Sequence, residues 1–211
     1  MAKPPPAKRP AKRVFDCLVV LLLCPLSIPV GIAVGVAIKL EALAGSSRGP
    51  ILHRETRISA GAPFTLLKFR ILKSEQLEDM ITSGANPKNL ENQTGNLSSV
   101  GKFLKKFGLD ELPQLLNVLK GDMSLVGPRP KPTAEYEDQL ARGFDVRTFA
   151  PAGLTGPAQV MKGTTRTEAD EWDADCRYLE LLKSGSAWSI LRFDLKVIGR
   201  TLRVMVGGSG E

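Results

Sequence analysis

Residues 17–38 read CLVVLLLCPLSIPVGIAVGVAI, 22 positions without a charge. As a straight helix this stretch is about 33 Å long, just enough to cross the hydrocarbon core of a bilayer. A cleaved signal peptide fits poorly, because the apolar part exceeds a usual signal core, no small-residue cleavage site follows promptly, and Lys39-Leu40-Glu41 continues the helical pattern. The segment is therefore read as retained. Pro25 and Pro29 each remove a backbone hydrogen bond and crowd the preceding turn, which predicts a sharp mid-helix break, with Ser27 placed to satisfy a freed carbonyl. Basic residues flank both ends, so the positive-inside rule favours neither simple orientation. Two readings stay open: a helix that enters and returns to the same face, and an ordinary kinked span.

The chain has 211 residues, room for one domain with a real core and one appended element. Its net charge of +7 is concentrated, since Lys3, Lys8, Arg9, Lys12 and Arg13 all precede the first acid, Asp16. The basic excess is an N-terminal arm, residues 1–13. With 6% aromatic residues and the charge confined there, no nucleic-acid partner is expected. Cys17, Cys24 and Cys176 lack metal-site or disulfide spacing, and His53 is the single histidine, which excludes a histidine-cluster metal site and leaves little room for a serine or cysteine triad. Chemistry must rest on carboxylates, lysines and arginines.

Those residue types converge in residues 109–130, LDELPQLLNVLKGDMSLVGPRP. Leu112, Leu115, Leu116 and Leu119 fall at i, i+3, i+4 and i+7, predicting a helix with one face on a core and Asp110 and Glu111 at its N-terminus. Pro113 suits the first turn and Gly121 the stop. One reading makes Asp110 a cap and Glu111 a favourable charge on the helix dipole, together worth about 1–2 kcal/mol. The other draws on Gly127-Pro128-Arg129-Pro130-Lys131-Pro132, where prolines stiffen an arginine suited to a phosphate. Residues 50–71 predict a β-hairpin. Residues 74–98 are polar and aperiodic, predicting a loop or lid. Residues 151–160 form a Gly/Pro-punctuated loop of the kind that approaches a ligand. Near the C-terminus, Trp188, Leu191, Leu195, Ile198, Leu202 and Met205 run beside Arg192, Lys196, Arg200 and Arg203, a cationic amphipathic helix that either packs on the domain or lies at a membrane surface.

Lys12-Arg13-Val14-Phe15-Asp16 before a proline-broken apolar helix, Lys68-Phe69-Arg70, the 109–130 run, and Gly153-Leu154-Thr155-Gly156 with Ala158-Gln159-Val160 resemble the bacterial sugar transferases, the monotopic phosphoglycosyl transferases in their small form. The resemblance covers residues 12–206. It implies an α+β, mainly helical fold: a re-entrant membrane helix over residues 14–40 broken at Pro25 and Pro29, a small β-hairpin, amphipathic interfacial helices, and a catalytic domain over residues 41–211 on the cytoplasmic face of the bacterial inner membrane. It implies transfer of a phosphosugar from a UDP-sugar to polyprenyl phosphate, giving polyprenyl-diphosphate-sugar and UMP, with Mg²⁺ as cofactor and inner-membrane lipid as surroundings. Carried over by position, Asp110 is the nucleophile and Glu111 its partner, the pair also holding Mg²⁺, while Lys68, Lys105 and Arg129 surround the phosphates and Arg70, Thr155 and Gln159 belong to the substrate loops.

The residues fit such roles. A carboxylate attacks phosphorus if cations relieve the repulsion, and helix-dipole and cation effects are expected to lower the pKa of Asp110. Neighbouring helical residues diverge by about 100°, which disfavours a two-carboxylate glycosidase. The chain departs from the family pattern at several points: Ile28 where a serine is usual, Lys105 for an arginine, Ile71-Leu72 for Thr-Met, and Glu55 and Ser59 for glutamine and glycine. The alternative from another class is a catalytically silent scaffold gripping anionic lipid. The sugar, the polyprenol length and the oligomeric state, a homo-oligomer included, are not encoded legibly.

Overall fold

The computed structural model describes residues 10–45, 47–76, 90–91, 93–161 and 167–206, of which residues 205 and 206 are described as backbone. Helix α1, Pro10–Leu43, extends beyond the apolar stretch at both ends. Lys12 and Arg13 belong to this helix rather than to a free arm, and residues 1–9 of that arm lie outside the described residues. The helix continues through Pro25 and Pro29, where the sequence predicts a break. Each proline deletes one N–H donor, and the turns on either side keep their own bonds.

Both ends of α1 are fastened to one body. Lys12 Nζ donates to Asp194 Oδ2 at 2.6 Å and lies 3.7 Å from Asp16, whose other oxygen accepts Ser124 Oγ at 2.6 Å. Arg13 donates to the carbonyls of Val118 and Leu119. At the far end, Glu41 Oε1 accepts the N–H groups of Ser99 and Val100 at 2.7 and 3.2 Å. Between these anchors Leu21, Leu22, Leu26 and Ile28 stay exposed.

Strands β1, Leu52–Ser59, and β2, Ala62–Phe69, form the expected antiparallel hairpin, with His53 opposite Lys68. Ala60 and Gly61 both take positive φ, 48° and 74°, which is what a two-residue turn matching strand twist requires. Of the loop expected at 74–98, residues 77–89 lie outside the described residues; its end is ordered, because Leu97 bridges to Leu72 and the Ser98 N–H donates to Ile71 at 2.9 Å.

Helix α2, Ser99–Phe107, is capped by Ser98 and closed by Gly108 in the left-handed region. A 3₁₀ turn, Leu109–Glu111, follows, and only then helix α3, Gln114–Lys120, ended as expected by Gly121. Asp110 is therefore not the cap of α3; Pro113 occupies that position without a side-chain bond. The cause is local: Pro113 has no N–H to give Leu109, and Gly108 has just terminated α2, so one tight turn is all that fits. The inward face shifts accordingly to Gln114, Leu115, Asn117 and Val118, leaving Leu116 exposed.

Strand β3, Ser124–Val126, pairs in parallel with β4, Gly153–Thr155, a pairing the sequence does not announce. Helices α4, Thr133–Ala141, and α5, Val146–Phe149, lie between them, and α6, Glu168–Ser184, and α7, Ala187–Val206, complete the fold. On α7 the inward residues are Ile190, Asp194 and Val197, so Trp188, Leu195 and Leu202 of the predicted stripe face outward. One core gathers Val20, Val118, Val126, Tyr178 and Ile190; the other gathers Val34, Ile38, Phe69, Leu97 and Leu104. Leu112 packs against both, which sets the Leu109–Glu111 turn at their seam.

Candidate active site

An open cleft of about 510 Å³ lies against one face of the hairpin. Side chains alternate along a strand and opposed residues share a face, so His53, Glu55 and Arg57 of β1 stand on the same side as Lys68 and Leu66 of β2. Arg57, Leu66 and Lys68 line the cleft from there. The 3₁₀ turn and α3 supply Glu111 and Gln114, the segment after β3 supplies Arg129, Pro130 and Lys131, and β4 with its following turn supplies Gly153, Leu154 and Gln159. Asp110 is buried beside this space, 6% exposed, within electrostatic reach of Lys68, Glu111 and Glu91.

Three devices hold these segments in place. Asn117 on α3 accepts the Leu67 N–H at 3.1 Å and donates to Thr65 O at 2.7 Å and Asp122 at 3.0 Å, stitching the helix after Asp110 to the strand that carries Lys68. Gly127 and Gly153 allow near-contact of two backbones: a Cβ on Gly153 would sit 2.1 Å from Gly127 N, and bonds Gly127 N to Thr155 O and Gly153 N to Pro128 O, both 2.9 Å, lock the pair. The glycines of residues 151–160 thus serve the close approach of the Arg129 loop. Finally, buried Arg147 donates to Arg129 O and Asp175, each at 3.0 Å, and to Gln139 at 3.1 Å.

The charges of the cleft are interleaved. Lys68 Nζ lies 3.9 Å from Glu91, Arg129 lies 3.8 Å from Glu111, Lys131 pairs with Glu135, and Arg57 pairs with Glu55. Burial, then the Glu111 charge, push the Asp110 carboxyl up to about 7 against the pull of Lys68. The sequence expectation was a lowered pKa; burial at the seam of two cores and the Glu111 charge override the lowering effects of Lys68 and a backbone hydrogen bond. Glu55 behaves oppositely: burial opposes its charge, yet His53, Lys68 and Arg57 bring its carboxyl down to about 2.

Of the residues singled out in the sequence, Lys68, Glu111, Arg129 and Gln159 meet in the cleft beside Asp110. Lys105 Nζ donates to the Glu91 carbonyl at 2.6 Å, bracing a segment of the wall. Arg70 is buried and donates to Pro50 O, Leu72 O and both oxygens of Ser47, which makes it a clamp on the chain leaving α1. Thr155 meets Thr201 of α7 through hydroxyls 2.7 Å apart. Gln159 Oε1 is buried and, among the described residues, meets no hydrogen-bond donor. Arg57, Glu91, Asn117 and Arg147 were not foreseen, and Glu55 entered only as a departure from the family pattern; the β1 alternation His53-Glu55-Arg57 was the available signal for Arg57 and Glu55.

The carboxylates of Asp110 and Glu111 are hard oxygen donors, and Mg²⁺ takes one or two such groups alongside substrate phosphates. Among the described residues no cluster of three His, Cys, Asp or Glu forms a self-sufficient metal cage. Asp110 and Glu111, close enough for the Glu111 charge to act on the Asp110 carboxyl, are the residues that would hold such an ion beside a substrate phosphate.

Residues 7–208 match the family model described as bacterial sugar transferase. A UDP-glucose:undecaprenyl-phosphate glucose-1-phosphate transferase of Caulobacter vibrioides is 39% identical over 199 residues, 90% of this chain and 68% of that protein. A protein of the same description from Escherichia coli is 34% identical over 201 residues, 92% of this chain but 39% of the relative. A UDP-N-acetylgalactosamine-undecaprenyl-phosphate N-acetylgalactosaminephosphotransferase of Aeromonas hydrophila is 32% identical over 206 residues, 94% of this chain and 44% of the relative. This chain thus spans less than half the length of the latter two relatives.

Proposed function

The chain belongs to the bacterial sugar transferase family, and from that premise we propose that it moves a phosphosugar from a UDP-sugar to polyprenyl phosphate at the cytoplasmic face of the bacterial inner membrane, through a covalent intermediate on Asp110. The observation that carries this reading is a buried carboxylate beside a cleft walled by Lys68, Arg57, Arg129 and Lys131. In the first step a carboxylate oxygen of Asp110 attacks the sugar-bearing phosphorus, the bond from that phosphorus to the bridging oxygen breaks, and UMP leaves with the electron pair. In the second, a phosphate oxygen of the polyprenyl acceptor attacks the same phosphorus, forms the diphosphate and returns Asp110 as a carboxylate. Lys68 and Arg129 offset the charge on the phosphoryl oxygens, and the cleft holds the diphosphate before either attack. Mg²⁺ held by Asp110 and Glu111 supplies further neutralisation of that diphosphate when bound.

The membrane side of the reading is supported by α1, the one described helix long and apolar enough to cross a bilayer. Its two ends grip the same body through Lys12, Arg13 and Asp16 at one end and Glu41 at the other. Tethering both ends to one body supports re-entry over a span, with the helix bending at Pro25 and Pro29 while its turns continue on either side.

The test is product formation. Purified protein with polyprenyl phosphate and Mg²⁺ is screened against UDP-sugars for UMP release, and at least one sugar gives turnover that Asp110→Asn abolishes. No release with any UDP-sugar, or full activity in Asp110→Asn, overturns the reading.

A further inference from the structure

We propose that Arg57 is a further substrate-binding residue of the cleft, its guanidinium preset by Glu55 to take the phosphate on the nucleotide side of the donor. The inference rests on the reading that the donor is a UDP-sugar. Arg57 lines the cleft and donates from both Nε, at 2.7 Å, and Nη2 to the same oxygen of Glu55. That fixes the plane of the guanidinium, and among the described residues Nη1 has no acceptor. A guanidinium held this way loses little freedom on meeting a phosphate, which is where arginine gains over lysine. Glu55 Oε1 lies 3.1 Å from His53 Nε2 without a hydrogen bond between them, and against its burial the neighbouring Lys68 and Arg57 help keep the Glu55 carboxyl ionised.

Position along the strand assigns the phosphate. Lys68, which reaches Asp110, stands opposite His53 in the hairpin, and Arg57 is four residues further along β1, about 13 Å at strand rise. Its guanidinium leans back only as far as Glu55, which stands opposite Leu66, one same-face pair short of His53 and Lys68. The polyprenyl acceptor carries one phosphate, which must approach that same phosphorus, so it does not match a cation set to one side. A UDP-sugar carries its other negative phosphate on the nucleotide side and usually a neutral ring on the other. A fixed cation displaced from the reacting centre therefore matches the phosphate that departs as part of UMP. The neighbouring segment supports the placement: the Ile58 N–H donates to Lys131 O at 3.0 Å, binding the Arg57 end of β1 to the Arg129 loop.

The experiment is calorimetric titration of UDP and of UMP into the detergent-solubilised full chain. Arg57→Ala weakens both nucleotides by the same factor, about 10- to 100-fold, the loss expected from a charge-assisted hydrogen-bond pair, while the melting temperature stays near that of the wild type. Arg57→Lys fails to restore affinity, since one ammonium cannot reproduce the fork toward Glu55 and the phosphate together, and Glu55→Gln weakens both nucleotides less than Arg57→Ala does. Arg57→Ala binding UDP within about twofold of the wild type overturns the proposal. Weakened UDP with unchanged UMP overturns the assignment to the nucleotide-side phosphate. Should Arg57→Ala lose its fold, Arg57→Lys decides, and full affinity in that variant overturns the proposal. A wild type that binds neither nucleotide overturns the UDP-sugar reading itself, separately from the role of Arg57.

Discussion

Asp110 combines two demands that pull against each other. Burial and the adjacent Glu111 hold its carboxyl near 7, well above the ordinary 3.8, so the folded chain binds that proton more tightly than the unfolded chain does. Stability from this residue is thus greatest at low pH and is lost as pH rises from about 4 to about 7, on the order of 4 kcal/mol when complete. Asp110→Asn, measured by denaturant unfolding in metal-free buffer, gains on the wild type over that interval and levels off above it. A difference that does not change with pH contradicts the buried setting. The neighbouring buried residues show why a sequence conceals such sites. Asn117 and Arg147 are defined by partners 50 and 18 to 28 residues away, and no local pattern marks them. Arg129 was legible because its prolines are adjacent to it in the chain.

Among the elements, those whose cause is local were readable and those built by distant pairing were not. The hairpin follows from strand patterning and a Gly-containing turn, and Gly121 stops α3 as its position requires. The β3–β4 pair has three residues a side and a long crossover, too short for any periodic signal. The Asp110 turn reads as a helix start because the leucine spacing runs across Pro113; the backbone there keeps helical torsions, but Pro113 has no N–H to join the turn to α3. Helix α1 carries the sharpest consequence. Its ends are held by the Lys12–Asp194 pair and by Glu41, and the proposed re-entry puts both on one side of the membrane. In a background without Cys17, Cys24 and Cys176, cysteines placed at Ala11 and Arg54 label together with an impermeant maleimide from the cytoplasmic side of inverted vesicles. Labelling from opposite sides contradicts re-entry.

At the scale of the molecule, the two cores meet at Leu112 and the Asp110 turn rides on that seam, so packing from both halves converges beneath the Asp110 carboxyl. The cleft then presents cations from the hairpin and the post-β3 segment to one face of that seam. The long apolar N-terminal helix and the β-hairpin were visible in sequence because each is written in a contiguous run. The depth of Asp110 and the Glu55-held Arg57 emerge only when separate runs are folded together. The account turns on a covalent bond to one oxygen, and intact-mass spectrometry reads that bond directly. Incubated with its UDP-sugar and Mg²⁺ but without polyprenyl phosphate, the protein gains the mass of one phosphosugar, mapped by peptide analysis to Asp110, with one UMP released per chain and the adduct cleared on adding polyprenyl phosphate. UMP release that requires polyprenyl phosphate, with an unchanged intact mass, contradicts the account.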